Sequence, residues 1–498
     1  MSSISFSEVP ANAFASGVFV EQEQVNRVVE SGPITQRVLL IGQANTGKTM
    51  DPAVIQPVTS VAQARARYGN GSMLALMCER ILAVSGSVEV YVSAFGDADL
   101  TDGAASVGSI SVTGAASTAG TLSLYIAGQR VLVSVANEDL ATAIATKIAA
   151  AINANVNLPV TAEVDGTDLY VVNITAKFDG VAGDQITVRQ NVVATDSDSS
   201  PVGPVLTISD LDEGAGEPDI DESLDAMGNV WYTTIGCGYT STDAYGKLKA
   251  KGDLLSNPIE KRMFVSFMGS TLAYSGYLTA LGDFNSQWVS VCNVPLSESP
   301  AFEIAASVAG AASRGAQADP ARPARSLVLT GIRGANEGWT YTQKNAVVQA
   351  GGGTTNTGAD DTVAIEDLVT TLTTDSLGNL EDAWRFVETV YNIQTKIYQL
   401  DTTFSATPFT RAVVVDDDSV TGKAYAIRPK TVKAYAIQLV DAWVAEAWSR
   451  ERDLIVAGIV AEIDASNAGR INLLIPDIIA AGLKVVAVKY EWAFQAAV

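Results

Sequence analysis

The stretch RVLLIGQANTGKT, residues 37–49, decides the fold class of this chain. Its first part, VLLI, is continuously apolar and ends at Gly42, which is typical of a strand that is buried on both faces. Further elements are predicted to follow at short intervals: a helix over residues 61–68, a helix over 71–84 and a second buried strand over 88–94. Strands that alternate with helices predict an α/β sheet.

The bulk composition bounds the protein class. A chain of 498 residues with 47% apolar residues predicts two or three domains, because single cores stop growing near ~250–300 residues. No run approaches the ~20 uncharged apolar residues of a membrane span, and the opening MSSISFSEVP lacks the pattern of a signal peptide. We therefore expect a protein that is made and kept in a cytoplasm, without membrane insertion.

Histidine is absent and the net charge is −23. The first fact removes Ser-His-Asp and Cys-His catalysis and the commonest zinc ligand. The second predicts repulsion from phosphate backbones, so nucleic acid is not an expected partner. The three cysteines, Cys78, Cys237 and Cys292, are too few for a disulfide framework, and we interpret them as buried thiols.

The segment GQANTGKT matches the phosphate-binding pattern G-x-x-x-x-G-K-[ST] at Gly42, Gly47, Lys48 and Thr49. A working site needs a helix that begins at the motif, so that amides and dipole meet the phosphates. Pro52 opposes that helix. We interpret the match as fortuitous and assign no cofactor; the alternative is a P-loop nucleotide-binding protein or ATPase that uses this segment.

The next part of the chain indicates an inserted domain over residues 96–215. Short alternating runs separated by Gly, Asp and Asn predict β-strands, with one helix at 140–152. Residues 97–222 hold 19 acidic and 4 basic residues, a net of −15, which predicts a hydrated exterior. The α/β pattern then returns with strands at 231–235, 263–267 and 288–291 and helices at 244–255, 272–284 and 301–314.

A Gly/Thr/Asn-rich segment, residues 351–358, is predicted to be a linker to a third part with helices at 380–397 and 431–452. The fold class is therefore α+β and multidomain: an α/β sheet core, an inserted β-rich domain, and a C-terminal α+β domain that carries terminal strand arms. The domains are predicted as follows: an N-terminal arm at 1–30, a core at 31–95 plus 216–350, an acidic insertion at 96–215, and a C-terminal domain at 359–498.

Both chain ends predict strands without a hairpin partner nearby. The first contains Val18, Phe19 and Val20. The last, residues 484–494, places Val486, Val488, Tyr490, Trp492 and Phe494 on one face and Lys489 and Glu491 on the other. The first strand must find its ladder elsewhere in the protein or assembly. The last strand pairs either within its own domain or by strand addition to a neighbouring subunit, because open aromatic edges template pairing with other chains.

Acid clusters give no complete metal motif. They occur at 416–418, at 360–361 and at Asp196 and Asp198, and none continues into a twelve-residue calcium loop with its closing Glu. We interpret them as solvated loops, and no metal site and no catalytic residue is assigned.

Several blocks taken in order resemble the contractile tail sheath proteins of Mu-like myophages, over nearly the whole chain. They are ISFSEVPANAFASGVFVE, RVLLIGQANTGKT with SVAQARARYGNGSMLALMCERIL, the acidic β insertion, ADPARPARSLVLTGI, and NAGRINLLIPDIIAAGLKVVAVKYEWAF. Two departures stand out. Ser16-Gly17 replaces a frequent Pro-Gly, and NAGR at 467–470 replaces Asp-Pro-Asn-Arg, which predicts a looser turn before the final strand pair.

The resemblance implies a virion structural protein that assembles as hexameric rings stacked helically around a tail tube protein, with baseplate and tail terminator proteins as further partners. It implies strand-exchanged arms, with Val18, Phe19 and Val20 in one and Val486, Val488, Tyr490 and Trp492 in the other, and a C-terminal domain next to the tube. Contraction would drive the tube through a bacterial envelope for genome ejection, without ATP, so the strand-loop-helix at Gly42–Thr49 would be a scaffold feature. The protein is not expected to be an enzyme.

Overall fold

The computed structural model describes residues 34–192, 200–335 and 338–492. These residues form two compact units, one of residues 34–398 with 479–492 and the other of residues 399–478. The predicted strand at Val18, Phe19 and Val20, the acid pair Asp196 and Asp198, and Phe494 lie outside the described residues.

The secondary structure mixes strands and helices throughout the described chain. The strands are β1 (Arg37–Gln43), β2 (Gln56–Pro57), β3 (Glu89–Phe95), β4 (Ala105–Thr113), β5 (Gly120–Ile126), β6 (Gln129–Val135), β7 (Val160–Val164), β8 (Val171–Asp179), β9 (Val188–Gln190), β10 (Val205–Asp212), β11 (Thr234–Cys237), β12 (Val265–Ser270), β13 (Val289–Asn293), β14 (Val328–Arg333), β15 (Gly352–Thr357), β16 (Thr362–Asp367), β17 (Val413–Val414), β18 (Ala426–Ile427), β19 (Val460–Ile463) and β20 (Ile471–Leu474). The helices are α1 (Val61–Tyr68), α2 (Met73–Val84), α3 (Ala141–Ala154), α4 (Asp221–Asp225), α5 (Thr242–Leu255), α6 (Tyr274–Leu281), α7 (Ala301–Ala318), α8 (Tyr341–Gln349), α9 (Val387–Ser405), α10 (Pro429–Ala445) and α11 (Arg452–Gly458). The predicted mixed α/β class is confirmed.

A nine-stranded sheet organises the larger unit, in the order β14-β16-β15-β13-β12-β11-β1-β3-β2. The strands from β3 to β15 in that order run parallel, and β2 at one edge and β16 and β14 at the other end pair antiparallel. Strand β1 is buried along all but its first residue, as the apolar run VLLI predicts. Helix α1 begins at Val61 as predicted, because the Ser60 side chain accepts a hydrogen bond from the Gln63 amide.

Glycines allow close packing between helices α2 and α7 and between strands β1 and β11. A Cβ added at Gly310 in α7 would lie 2.7 Å from the Ile81 side chain of α2, and one added at Gly236 in β11 would lie 2.7 Å from Leu40. Glycine at these positions therefore allows close backbone approach. Within this contact Arg80 of α2 forms a buried ion pair with Glu303 of α7, whose side chain is fully buried.

The predicted β-rich excursion is formed by β4 to β10 and α3. It contains two antiparallel sheets, β10-β4-β8-β7 and β6-β5-β9. Alternate residues of β8 and β6 are buried, and the three isoleucines Ile144, Ile148 and Ile152 of α3 are fully buried. Half-buried strands covered by one amphipathic helix bury the apolar side chains of this excursion, and these side chains belong to the same hydrophobic core as the main sheet.

The excursion is continuous with the main unit. Phe178 of β8 packs edge-on against Phe302 of α7 with ring centroids 6.2 Å apart, and both residues are fully buried. The guanidinium of Arg333 lies 5.1 Å from the centre of the Tyr125 ring, and the Thr187 hydroxyl donates to the Glu298 carbonyl at 2.9 Å. These contacts explain why residues 34–398 form one compact unit that includes the excursion.

The prediction that residues 351–358 are a linker was wrong. Residues 352–357 form β15, which pairs parallel with β13 and antiparallel with β16. The packing around this strand leaves no room for a side chain at its two glycines, since a Cβ at Gly352 would lie 2.5 Å from Leu281 and one at Gly353 would lie 2.9 Å from the Val291 carbonyl. The division between the compact units therefore falls at residue 399 and not at 359.

Two C-terminal helices also differ from their predicted bounds. Helix α9 begins at Val387 and not near 380, because the preceding residues form bridges between Val369 and Phe386 and between Thr374 and Leu380. The helix predicted over 431–452 is divided into α10 and α11, which are separated by left-handed residues including Glu451 at φ 58°. No helix among the described residues combines the length and apolar character that crossing a bilayer requires.

Candidate assembly surfaces

The loop after β1 carries the phosphate-binding pattern, but its amides from Ala44 to Lys48 already have acceptors within the protein. The Ala44 amide donates to the Phe95 carbonyl at 2.9 Å, and the Asn45 amide donates to the Tyr68 carbonyl at 2.9 Å. The Thr46 amide donates to the Lys177 carbonyl at 2.8 Å. The amides of Ala44, Asn45 and Thr46 therefore join the loop to neighbouring elements and are not directed at a shared anion position.

The remaining motif residues also oppose an anion site. The Gly47 amide donates to the Asp97 carboxylate at 3.3 Å, so the loop holds a negative charge where a phosphate would bind. Lys48 and Thr49 are exposed, and the first helix after them begins only at Val61. Gly42 is required by packing, since an added Cβ would lie 3.0 Å from the Met77 sulfur. The geometry gives no support to nucleotide binding by this loop.

The three cysteines are packed as small apolar side chains. Cys78, Cys237 and Cys292 are fully buried, and burial raises the pKa of each thiol to about 12. Thiols with such a high pKa are poor nucleophiles at neutral pH. Among the residues that the structure describes, no group of three or more His, Cys, Asp or Glu side chains is placed to hold a metal ion.

A partly buried lysine, Lys484, anchors the C-terminal segment, residues 479–492, to its own unit. The Lys484 ammonium lies 2.9 Å from a Glu388 carboxylate oxygen and 3.5 Å from Asp367. It also lies 4.2 Å from the centre of the Phe386 ring. The Lys484 side chain is only 18% exposed and that of Glu388 only 6%, so this pair is largely shielded from water.

The backbone around this lysine is held closely as well. A Cβ added at Gly482 would lie 2.4 Å from the Pro323 ring, so glycine permits the segment to pass that proline. The Arg325 guanidinium reaches the Lys484 carbonyl at 3.5 Å. The segment is therefore held at residues 482–484.

Beyond the anchor the predicted apolar row is exposed to solvent. Val486 is 70% exposed, Val488 79%, Tyr490 81% and Trp492 66%. Residues 484–492 pair with no strand among the described residues. The ion pair of Lys489 with Glu491 fits an extended backbone, in which residues two apart share a face. The pattern agrees with the predicted division into two faces.

A second open backbone surface lies in the smaller unit, at the hairpin of β19 and β20. The two strands pair antiparallel over Val460–Ile463 and Ile471–Leu474, and no other described strand pairs with either. Val460 is 49% exposed and Leu474 59% exposed. A two-stranded sheet with open outer edges is a surface to which a further strand can add.

The turn of this hairpin is closed tightly by Asp464, contrary to the predicted loosening by the sequence NAGR. Its carboxylate accepts hydrogen bonds from the Ser466 and Asn467 amides at 2.9 and 3.0 Å and from the Asn472 side chain at 3.0 Å. The Asp464 amide donates to the Arg470 carbonyl at 2.9 Å. The turn is therefore closed by an aspartate whose carboxylate accepts hydrogen bonds from the amides that follow it.

Acid should loosen this turn. The hydrogen bonds hold the pKa of Asp464 well below its usual range, so the turn is fully stabilised above the unfolded pKa of about 3.9 and loses that stabilisation as the pH falls through the folded pKa. We expect Asp464→Ala to lower amide exchange protection at Ser466 and Asn467 at neutral pH, and to do so less in acid. Asp453→Ala is the control, and equal protection in Asp464→Ala and wild type would contradict this role.

Comparison with known proteins shows that the chain is similar to a tail sheath protein. It is 26% identical over 479 residues to the Mu-like prophage FluMu tail sheath protein of Haemophilus influenzae, and the match covers 95% of this chain and 96% of that protein. The resemblance to Mu-like tail sheaths that the sequence blocks indicate is thus confirmed. No protein-family model matches the chain.

Solved structures of sheath proteins are also similar at low sequence identity. The sheath tail protein of Desulfitobacterium hafniense is 12% identical, with a TM-score of 0.49 over 93% of this chain and all of that one. The sheath tail protein of Listeria innocua is 11% identical, with a TM-score of 0.46 over 91% of this chain and 96% of that one. The contracted sheath of an extracellular contractile injection system, PVC, is 10% identical, with a TM-score of 0.48 over 96% of this chain and 98% of that one.

Sequence reasoning identified the exposed row but missed the residues that hold it. The sequence pattern places Lys484 at the start of a strand, whereas its partners Asp367 and Glu388 lie far away in the chain. Asp464 was overlooked although an aspartate two residues before a serine is a known turn signal. The roles of Val486, Val488, Tyr490 and Trp492 in contacts between subunits stay predictions.

Proposed function

We propose that this protein is the structural subunit of a contractile phage tail sheath, that it polymerises around a tail tube, and that it acts without enzymatic chemistry. The observation that carries this proposal is the sequence match to a Mu-like tail sheath protein across 95% of the chain. The loop at Gly42–Thr49 supports the same conclusion, because its amides are occupied within the protein.

In this proposal the terminal arms connect neighbouring subunits. Val18, Phe19 and Val20 form one arm, and the segment after Lys484, with its exposed row from Val486 to Trp492, forms the other. The open edges of the β19–β20 hairpin accept such arms from other copies, since main-chain hydrogen bonds satisfy both partners. Ladder pairing keeps subunits joined while their folded units rotate, which is what a sheath needs when it contracts.

The charge distribution sets which surfaces face outward. The acidic insertion, residues 96–215, lies on the exterior of the assembly, since its carboxylates favour water. The C-terminal part, residues 421–498, holds 9 basic and 8 acidic residues and is buried against partners, including the tube. Energy for contraction comes from a metastable packing of subunits that converts to a more stable one, with no nucleotide consumed.

Electron microscopy of the purified full-length chain tests the proposal. We expect rings or tubes with helical order whose abundance rises with protein concentration. Mass photometry of the same samples should show a monomer that is depleted as the polymer forms. A chain that stays monomeric at every concentration would reject the sheath role.

A further inference from the structure

A basic groove lies in the larger unit, where α7 ends and the chain turns toward β14. Its volume is about 540 Å³, and its walls come from the end of α2, the end of α7, the loop 320–327 and the start of α9. Three arginines line it: Arg314, Arg322 and Arg325. In a chain with 55 acidic and 32 basic residues, three guanidiniums around one groove form a local positive surface.

These arginines are not neutralised by the protein itself. None of the three forms an ion pair with another described residue, and all three are exposed. Arg314 and Arg325 contact only backbone carbonyls through their side chains, those of Val84 and Lys484, both at 3.5 Å. Glu388, the acidic residue in the wall, is already paired with Lys484. The groove therefore has unused capacity for carboxylates.

The groove also offers apolar contact between the arginines. Pro320, Pro323 and Leu327 line it together with alanines. The two prolines restrict the backbone that carries Arg322 and Arg325, so these side chains are presented from a stiffened loop. An occupant should therefore combine several carboxylates with a short apolar side chain.

One loop of this protein has that combination. Asp416, Asp417 and Asp418 are consecutive and exposed, and Val420 next to them is 103% exposed. Asp417 accepts a hydrogen bond from the Lys430 amide at 3.0 Å, which fixes the loop to the start of α10. No ion pair with a described basic residue neutralises Asp416 or Asp418.

We propose that the Arg314–Arg322–Arg325 groove of one subunit binds the 416–420 loop of a second copy. This inference rests on the proposed polymer. Copies that each carry a net charge of −23 repel one another, so a contact that places an acidic loop on a basic groove opposes that repulsion where subunits meet. Exposed charges also make this contact sensitive to salt.

Charge reversal and charge exchange test the pairing in the full-length protein. We expect Arg322→Glu with Arg325→Glu to raise the concentration needed for polymer formation about tenfold or more, and Asp416→Lys with Asp418→Lys to do the same. The chain with all four substitutions should polymerise again, because every copy then carries a complementary loop and groove. Lys48→Glu, at an exposed lysine without an ion pair, is the control and should polymerise normally.

Three outcomes overturn the pairing: unimpaired polymers in the arginine variant, unimpaired polymers in the aspartate variant, or no recovery in the combined variant. Circular dichroism melts that match wild type confirm that each variant is folded. If wild type itself never polymerises, the sheath role fails and the pairing fails with it. If wild type polymerises and the exchange does not restore assembly, only the pairing fails.

Discussion

Deletion of residues 485–498 should abolish tube formation and leave a folded, soluble monomer. The segment after Lys484 pairs with no described strand, and Val486, Val488 and Tyr490 are at least 70% exposed. Its removal therefore takes little from the core of the single chain. Under the proposed arm mechanism, it removes a strand whose backbone hydrogen bonds are completed by another copy.

The measurement is a count of tubes by electron microscopy together with the melting temperature of the truncated chain. Lys489→Ala with Glu491→Ala is the matched control, because these residues occupy the opposite face and their exposed ion pair contributes little. Serine at Val486, Val488, Tyr490 and Trp492 should reproduce the truncation. Tubes that persist after truncation would contradict the arm mechanism.

Lys484→Ala should have the largest effect on the stability of the monomer among substitutions in the C-terminal segment. It leaves the Glu388 carboxylate buried without its cation and removes the contact with the Phe386 ring. Loss of one partner of a buried pair lowers the free energy of unfolding by about 3 kcal/mol. Chemical denaturation of the full-length chain measures the loss.

A double variant tests whether the stability lost in Lys484→Ala comes from the unpaired Glu388 charge. Lys484→Met with Glu388→Gln removes both charges and keeps the shape, so it should recover most of the stability that Lys484→Ala loses. Lys489→Ala is the control and should change the free energy of unfolding by less than about 0.5 kcal/mol. Equal stability of Lys484→Ala and Lys489→Ala would show that Lys484 is not an anchor.

Much of the sheet core was predictable because its signals are local. The apolar run of β1 and the serine that caps α1 each act within a few residues. The alternation that predicts the inserted strands is equally local, and β4 to β8 all lie within residues 96–215, where short alternating runs predict strands. The prediction of a linker at residues 351–358 was wrong for the opposite reason. Glycine is a loop signal in sequence, whereas Gly352 and Gly353 are glycines because side chains and backbone from distant segments leave no room for a Cβ.

The sequence by itself determined the α/β core, the β-rich excursion and a C-terminal apolar row, because hydrophobic periodicity and caps are read within one element. Only the tertiary structure decided that amides of the loop at Gly42–Thr49 donate hydrogen bonds to the carbonyls of Phe95, Tyr68 and Lys177. It also decided that Lys484 anchors the C-terminal segment and that three arginines line one groove. Each of these depends on groups that are far apart in the chain, and their distances are fixed only when the sheet and its helices pack.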